Sequence, residues 1–80
     1  MATAFTRKGK PMTEHQAKII LAYAKNGMRA GAAGKELFMA GQNVHHHLRK
    51  IKRDTGLNPK NFFDLCRLVG IAASVKGASL

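Results

Sequence analysis

The side chains with the greatest chemical capacity lie between positions 42 and 53, where hydrogen-bond donors and positive charges recur at helical spacing. Successive residues of an α-helix are rotated by about 100°, so side chains three or four positions apart share a face. One face of this predicted helix would carry Gln42, His45, His46, Arg49, Lys50 and Arg53. Gln can form two hydrogen bonds with adenine, Arg can form two with guanine, and His can donate one to guanine. The pattern is typical of a helix that contacts base edges of double-stranded DNA.

The position of each side chain along this helix predicts its role. Base contacts are expected near the N-terminal end, from Gln42, His45, His46 and Arg49. Phosphate contacts, which position a protein without selecting a sequence, are expected from Asn43, Lys50, Lys52, Arg53, Arg29 and Lys35. Three more cations, Arg7, Lys8 and Lys10, precede the first predicted helix. The sequence leaves open whether they contact DNA or only make the chain more soluble.

The consecutive histidines His45, His46 and His47 also raise the hypothesis of a metal site. Because neighbouring helical side chains point about 100° apart, the three imidazoles cannot easily converge on one ion. His15 is remote in the sequence, and there is no matching cluster of Cys or Asp. We therefore expect neither a metal ion nor a cofactor.

Catalysis by Cys66 is a second hypothesis that the sequence disfavours. Cys66 is the only cysteine and lies in an apolar segment, so we expect it to be buried as a small hydrophobic residue rather than to act as a nucleophile. No convincing strand is predicted, so no glycine-rich phosphate-binding loop follows one. The chain is therefore not expected to be an enzyme.

The charge balance favours a polyanionic partner. Fourteen Lys and Arg residues stand against four Asp and Glu residues, which gives a formal net charge of +10 and a pI near 10.6. Such a balance predicts attraction to DNA, RNA or an anionic membrane surface. No apolar run approaches the roughly 20 residues that cross a bilayer. With its single thiol, the protein is expected in the cytoplasm, associated with the nucleoid and not with a membrane.

Four helices are predicted to position these side chains, so the expected fold class is a small all-α, four-helix domain. Thr13 and Gln16 fit a capping box at the first helix, and Asn58 followed by Pro59 fits an N-cap and first residue of the fourth. The predicted helices are Thr13 to Asn26, Met28 or Arg29 to Phe38, Gln42 or Asn43 to Thr55, and Asn58 to about Ala72. Residues 1–12 are predicted to be a flexible basic arm, 13–72 the folded domain, and 73–80 a flexible tail.

The second and third predicted helices fit a helix-turn-helix. They are separated by Met39, Ala40 and Gly41, and Gly41 is expected to adopt a positive φ. The two helices of such a unit cross closely, so a small residue is expected in the first, and Gly34 is predicted to be that residue. The inward stripe of the third helix is Val44, His47, Leu48 and Ile51. In a helix-turn-helix, the second helix enters the major groove while the first supports it.

The segment from Gly34 to Asn58 resembles the C-terminal helix-turn-helix of PucR-type transcriptional regulators and, more distantly, the LuxR-type DNA-binding domain. The similarity lies in Leu37-Phe38, the turn, Asn43-Val44, Leu48-Arg49-x-Ile51 and Thr55-Gly56-Leu57, and it covers about residues 13–72. It implies a transcription regulator with Gln42, Asn43, His45, His46 and Arg49 in DNA-facing positions. Asn43 stands where the family has Thr, and His47 where it has Arg. The family's sensor region has no counterpart in these 80 residues, so no ligand response is implied.

The expected function is sequence-specific binding of double-stranded DNA, in transcriptional regulation in a bacterium or bacteriophage. Three alternatives stay open: an architectural protein that binds DNA without sequence preference, an RNA-binding module, and a protein–protein adaptor with the same fold. The few aromatic residues lie at apolar positions of the fourth helix rather than on a stacking platform, which disfavours recognition of single strands.

The fourth predicted helix is apolar around most of its circumference. Its main ridge is Phe62, Leu65, Val69 and Ala72, with Phe63, Cys66 and Gly70 beside it. Two interpretations stay open: the helix belongs only to the core, or its outer side forms a homodimer. Dimers are common among small helix-turn-helix proteins because two half-sites increase the affinity.

Overall fold

The computed structural model describes residues 12–75, which form four α-helices and no strand. The helices are α1 (Glu14–Lys25), α2 (Ala30–Leu37), α3 (Gly41–Thr55) and α4 (Phe62–Ala73). The prediction of a small all-α domain with four helices is confirmed. Arg7, Lys8 and Lys10, most of the predicted arm and residues 76–80 of the predicted tail lie outside the described residues.

The first helix begins where its capping residues predict. The Gln16 N–H donates to Thr13 Oγ1 at 3.1 Å, and the Thr13 N–H donates to Gln16 Oε1 at 3.2 Å. These two bonds satisfy N–H groups that have no partner within the helix. The capping box is therefore confirmed.

α1 is the central helix of the domain, because it packs against each of the other three. Ile19, Ile20, Leu21, Ala22 and Tyr23 are all buried, so side chains pointing in every direction from this segment meet a neighbouring helix. α4 lies on one side of α1, and α2 and α3 lie on the other. Among the described helices, α3 and α4 do not pack against each other.

The connection between α2 and α3 depends on close approach of the backbone. A Cβ atom at Gly34 would lie 2.5 Å from the carbonyl oxygen of Met39, and the Met39 N–H donates to the Gly34 carbonyl at 2.8 Å. Backbone does approach Gly34 closely, but it is the connection from Met39 to Gly41 that does so, and not a crossing of α3 over α2 as predicted. There is no room for a side chain at this position.

Two details of the second and third helices differ from the prediction. α2 begins at Ala30, because Met28 adopts a left-handed conformation and Arg29 is the extended N-cap. Gly41 is the first residue of α3 and does not have a positive φ; Phe38, with φ of 58°, ends α2 instead. A Cβ at Gly41 would lie 3.5 Å from Gly31 Cα, which is an ordinary van der Waals distance, so α2 and α3 are in contact at these two glycines.

The inner face of α3 is fixed by three aliphatic side chains and one threonine. Val44, Leu48 and Ile51 are fully buried, as predicted. The buried Thr55 hydroxyl donates to the Ile51 carbonyl at 2.7 Å and accepts from the Leu57 N–H at 3.1 Å. The burial of this face determines which side of α3 meets solvent.

The predicted start of the fourth helix is wrong. Asn61 is the N-cap, and its side chain accepts from the Asp64 N–H at 3.1 Å. Asn58 instead accepts from the Lys60 N–H through its own Oδ1, and Pro59 is buried in the turn between the helices. Both asparagines have the residue type of an N-cap, and the turn chemistry at Asn58 leaves the cap to Asn61.

The prediction that Cys66 is buried is also wrong, since its side chain is exposed. α4 presents Leu65, Leu68 and Ala72 to the core, and the next residue after Leu65 points about 100° away from it. Phe62, assigned to the inner ridge, is 62% exposed.

The core extends slightly beyond both predicted limits of the domain. Met12, the last residue of the predicted arm, is 4% exposed, and Val75, within the predicted tail, is 9% exposed. Both belong to the hydrophobic core. Across residues 12–75, no helix is long and apolar enough to cross a membrane.

Candidate nucleic-acid interface

The outward face of α3 carries only polar and basic side chains. All eight are exposed: Gln42, Asn43, His45, His46, Arg49, Lys50, Lys52 and Arg53. The buried stripe on the opposite side holds α3 against α1 and α2, so this face is held toward solvent by the packing of the core. The predicted base-contacting and phosphate-contacting residues of this helix are therefore all accessible.

Negative charge is kept away from the outward face of α3. The chain has four acidic residues, and three of them interact with other helices or turns. Glu14 pairs with Lys18 at 3.1 Å, Glu36 pairs with Lys25 at 3.0 Å, and the Asp64 carboxylate accepts from the Asn58 N–H at 3.1 Å. The Glu14 pair lies within α1, and the Glu36 pair joins α2 to α1. The Asp64 contact closes the turn before α4.

Asp54 is the only acidic residue on α3, and it is turned toward α1. Its Oδ2 accepts from the Gln16 side chain at 3.4 Å, while its Oδ1 lies 4.0 Å from Arg53 Nε. Asp54 is partly buried, whereas the neighbouring Lys52 and Arg53 are exposed. The outward face therefore keeps its positive charge.

Two surface concavities are lined by basic side chains from the C-terminal half of α3. One, of about 330 Å³, is lined by His46, Arg49, Lys50 and Arg53. The other, of about 240 Å³, lies between α3 and the following turn and is lined by Leu48, Arg49, Lys52, Asn58, Pro59 and Lys60. Arg49 belongs to both concavities. The Arg49 side chain therefore connects the two concavities into one basic surface.

Lys60 is a candidate contact that the sequence analysis missed. It is exposed in the turn before α4 and lines the same concavity as Arg49 and Lys52. Its placement depends on the turn at Asn58, a segment that was predicted to be the start of the fourth helix. The combination of Asn58, Pro59 and a following second asparagine is the signal that could have indicated a turn here.

The remaining predicted residues lie outside these concavities. Gln42, Asn43 and His45 are exposed on the N-terminal half of α3, and Ala40 rather than Asn43 is the N-cap. Arg29 and Lys35 are exposed on α2, at its N-cap and in its last turn. The basic concavities thus include one predicted base-contacting pair, His46 and Arg49, and the other candidates flank them.

The N-termini of the four helices differ in how they are capped. α1 and α4 each have a side-chain cap and an acidic residue in the first turn. The N-cap residues of α2 and α3 are Arg29 and Ala40, which make no side-chain capping bond, and neither helix has an acidic residue in its first turn. The partial positive charge of these two helix ends is therefore not neutralised locally.

A histidine cluster connects α3 to α1. The rings of His15 and His47 are 4.9 Å apart and meet edge to face, and the rings of His46 and His47 are 5.8 Å apart. The fold thus brings His15 beside the histidine triplet, although the two are remote in sequence. Among residues 12–75, no group of three or more His, Cys, Asp or Glu residues is arranged to hold a metal ion.

The position of His47 between α3 and α1 affects its titration. Partial burial lowers the pKa of His47 below its ordinary value of 6.5, and the nearby positive charges of His15, His46 and Lys50 lower it further. The folded state therefore favours the neutral imidazole more than the unfolded state does.

This pKa difference predicts that acid destabilises the domain through His47. The unfolded state binds the proton more readily, so the contribution of His47 to stability is complete above pH 6.5 and is lost as the pH falls through the lowered pKa. We expect the thermal midpoint of wild type to fall more between about pH 8 and about pH 5 than that of His47→Gln. Parallel curves for the two proteins would contradict this assignment, and His45→Gln, at an exposed position on the same helix, is the matched control.

Comparison of the chain with protein-family models, curated proteins and solved structures finds no match. The resemblance to PucR-type regulators therefore stays a prediction.

Proposed function

We propose that this chain binds double-stranded DNA with sequence preference and regulates transcription in a bacterium or bacteriophage. In this proposal, α2 and α3 act as a helix-turn-helix, and α3 enters the major groove. The observation that carries the proposal is the separation of the two sides of α3. One side is buried among aliphatic residues, and the other combines base-directed donors with cations and contains no outward-facing acid.

Each part of α3 fits a different portion of the DNA. The major groove is about 12 Å wide and admits one α-helix. In the proposed complex, the exposed Gln42, His45, His46 and Arg49 contact base edges. The cations at the C-terminal end, Lys50, Lys52 and Arg53, and Lys60 in the next turn contact phosphates on the two sides of the groove.

The N-termini of α2 and α3, which have no side-chain cap, support the proposed placement of these two helices against the DNA backbone. Backbone N–H groups at a helix N-terminus bind phosphate oxygens, and the helix dipole favours the negative charge. A side-chain cap or an acidic residue in the first turn would compete with a phosphate for these N–H groups. The first turns of α2 and α3 have neither a side-chain cap nor an acidic residue. Arg29 and Lys35 are exposed cations of α2, and in the proposed complex they contact the DNA backbone.

Binding without sequence preference is the second candidate function, and the basic concavities favour it. Arg49, Lys50, Lys52 and Lys60 contribute positive charge that any duplex attracts. A protein that used only these cations would act as an architectural component of the nucleoid. The two functions differ in the affinity ratio between a selected and a random sequence, not in whether DNA is bound.

A salt series with two duplexes tests the proposal. Fluorescence anisotropy would compare a duplex enriched from a random pool with an unselected duplex of the same length. We expect affinity for both to fall steeply with salt, because bound phosphates release counterions, and the enriched duplex to bind at least about 1,000-fold more tightly at physiological salt. Equal affinities would replace the proposal with the architectural function, and no binding at low salt would remove both.

A further inference from the structure

Phe38 combines an exposed ring with a backbone conformation that is unfavourable for phenylalanine. Its side chain is 97% exposed, the most of any large hydrophobic residue among residues 12–75. Its φ is 58°, in the left-handed region, where a bulky side chain is rare and where glycine or asparagine usually follows a helix. The choice of phenylalanine at this position therefore stabilises neither the core nor the local backbone.

Met28 is the other non-glycine residue with a positive φ in the described part of the chain, and its packing accounts for it. The Met28 N–H donates to the Tyr23 carbonyl at 2.8 Å, and its side chain is partly buried against the core. Phe38 has the same backbone conformation without the burial. Left-handed backbone at non-glycine residues recurs at sites that hold a ligand. The comparison therefore indicates that the Phe38 ring has a partner outside the domain.

The backbone that carries the Phe38 ring is held in place. The Phe38 N–H donates to the Lys35 carbonyl at 3.4 Å, and the Met39 N–H donates to the Gly34 carbonyl at 2.8 Å. The absence of a side chain at Gly34 lets the Met39 carbonyl lie directly against α2. The position of Phe38 relative to α3 is therefore set by the fold before any partner binds.

That position is next to the N-terminal end of α3. Phe38 precedes Ala40, the N-cap of α3, by two residues, and Gly41, its first residue, by three. Three residues of chain span at most about 11 Å between Cα atoms. Successive base pairs lie about 3.4 Å apart, so Phe38 falls within about three base steps of Gly41 along the duplex. In the proposed complex, the ring is thus near the bases that Gln42 contacts.

We propose that the Phe38 ring contacts the C5-methyl group of a thymine in the major groove and so selects an A·T pair at one position of the DNA site. This inference rests on the proposed function and adds an apolar contact to its polar ones. The thymine methyl is the apolar group that the major groove presents, and phenylalanine is one of the side chains suited to it. The contact removes both the ring and the methyl group from water.

The surroundings of Phe38 favour DNA over a protein as the partner of the ring. Phe38 is the one exposed large hydrophobic residue on α2, α3 and the turn between them, since Phe62 and Phe63 belong to α4, which does not pack against α3. Protein interfaces use contiguous apolar patches rather than a single ring. Lys35 and Gln42, on either side of the turn, are exposed and polar, as a contact with a duplex requires.

Urea denaturation of Phe38→Gly without DNA tests the cost of the ring independently of the proposed function. Glycine adopts a positive φ without strain, so the variant should unfold at a urea concentration roughly 0.3–1 M higher than wild type. A lower midpoint would show that the ring stabilises the fold, and would overturn the inference that it is retained for an external contact.

Replacement of the thymines of the enriched duplex by deoxyuridine, one at a time, tests the contact itself, because deoxyuridine pairs like thymidine but lacks the methyl group. At one thymine, we expect the replacement and Phe38→Gly each to weaken binding about fourfold, the effect of exposing one buried methyl group. The two changes together should weaken it little more than either alone, since both remove the same contact. Phe63→Ser, which alters an exposed ring on α4, is the matched control and should change neither affinity.

The possible failures of the inference and of the proposed function give different results. If every replacement weakens wild type and Phe38→Gly by the same factor, the ring contacts no thymine methyl, and the inference is overturned while the proposed function stands. If wild type binds the enriched and the unselected duplex equally, sequence preference is absent, and both are removed.

Discussion

Gly34→Leu is expected to disrupt the fold and to destabilise the domain strongly. Even the Cβ atom of a new side chain would lie 2.5 Å from the Met39 carbonyl oxygen, a backbone atom held in place by the turn into α3. Overpacking of this kind costs about 1–3 kcal/mol where neighbours can move, and more where the obstacle is backbone. Because a domain of this size is stabilised by only about 4–12 kcal/mol, the loss is a large part of the total.

The alanine variants of two glycines in the same helix provide a matched comparison. Gly34→Ala meets the same carbonyl, whereas a Cβ at Gly31 has nothing within 4 Å. Alanine is favoured over glycine inside a helix by about 1 kcal/mol, so Gly31→Ala should stabilise the domain and Gly34→Ala should destabilise it. Urea denaturation followed by circular dichroism measures both. Equal stabilities of the two variants would mean that the turn does not pack against α2 as described.

Arg49→Ala is expected to have the largest effect on sequence preference. Arg49 lines both basic concavities and is exposed on the N-terminal side of the cations of α3. If it forms two hydrogen bonds with a guanine, its loss should cost about 1–3 kcal/mol on the enriched duplex and clearly less on a random duplex. Competition binding with the two duplexes measures the difference.

Two other cation removals separate base contact from charge. Lys52→Ala should weaken binding to both duplexes to a similar extent and reduce the salt slope by about one, as loss of a phosphate contact does. Lys18→Ala removes the same charge from α1, where Lys18 pairs with Glu14 at 3.1 Å, and should change neither affinity by much. If Arg49→Ala and Lys52→Ala have the same effect on every duplex, the roles assigned to these residues are wrong.

The parts of the fold that the sequence predicts well are those governed by local rules. The capping box at Thr13 and the burial of Val44, Leu48 and Ile51 follow from hydrogen-bond chemistry and helical periodicity. The tight approach at Gly34 follows from the cost of a glycine inside a helix, which requires a packing reason. These features are sufficient to predict the outward face of α3.

The wrong predictions concern features that are determined by tertiary contacts and not by local sequence. α4 is apolar on several sides, so periodicity alone does not determine whether Leu68 or Cys66 faces the core; packing against α1 buries Leu68 and exposes Cys66. Likewise, Asn58 and Asn61 are both suited to cap a helix, and the turn around the buried Pro59 makes Asn61 the cap.

The same limit applies to the candidate site. The donors and cations of α3 could be placed from the sequence because they share one helix. Lys60 joins them only through the turn after α3, and His15 meets His47 only because α1 packs against α3. Contacts between elements remote in sequence depend on the packing of the core, which the helical pattern does not specify.

The accessibility of individual lysines in the presence of DNA tests the proposed interface most directly. Lysines would be acetylated with and without the enriched duplex at low salt, and each modified site measured by mass spectrometry. The proposed interface predicts strong protection of Lys50, Lys52 and Lys60 and unchanged reactivity of Lys18 and Lys25 on α1. Equal protection of all five lysines, or protection centred on Lys18 and Lys25, would contradict the placement of DNA on α3.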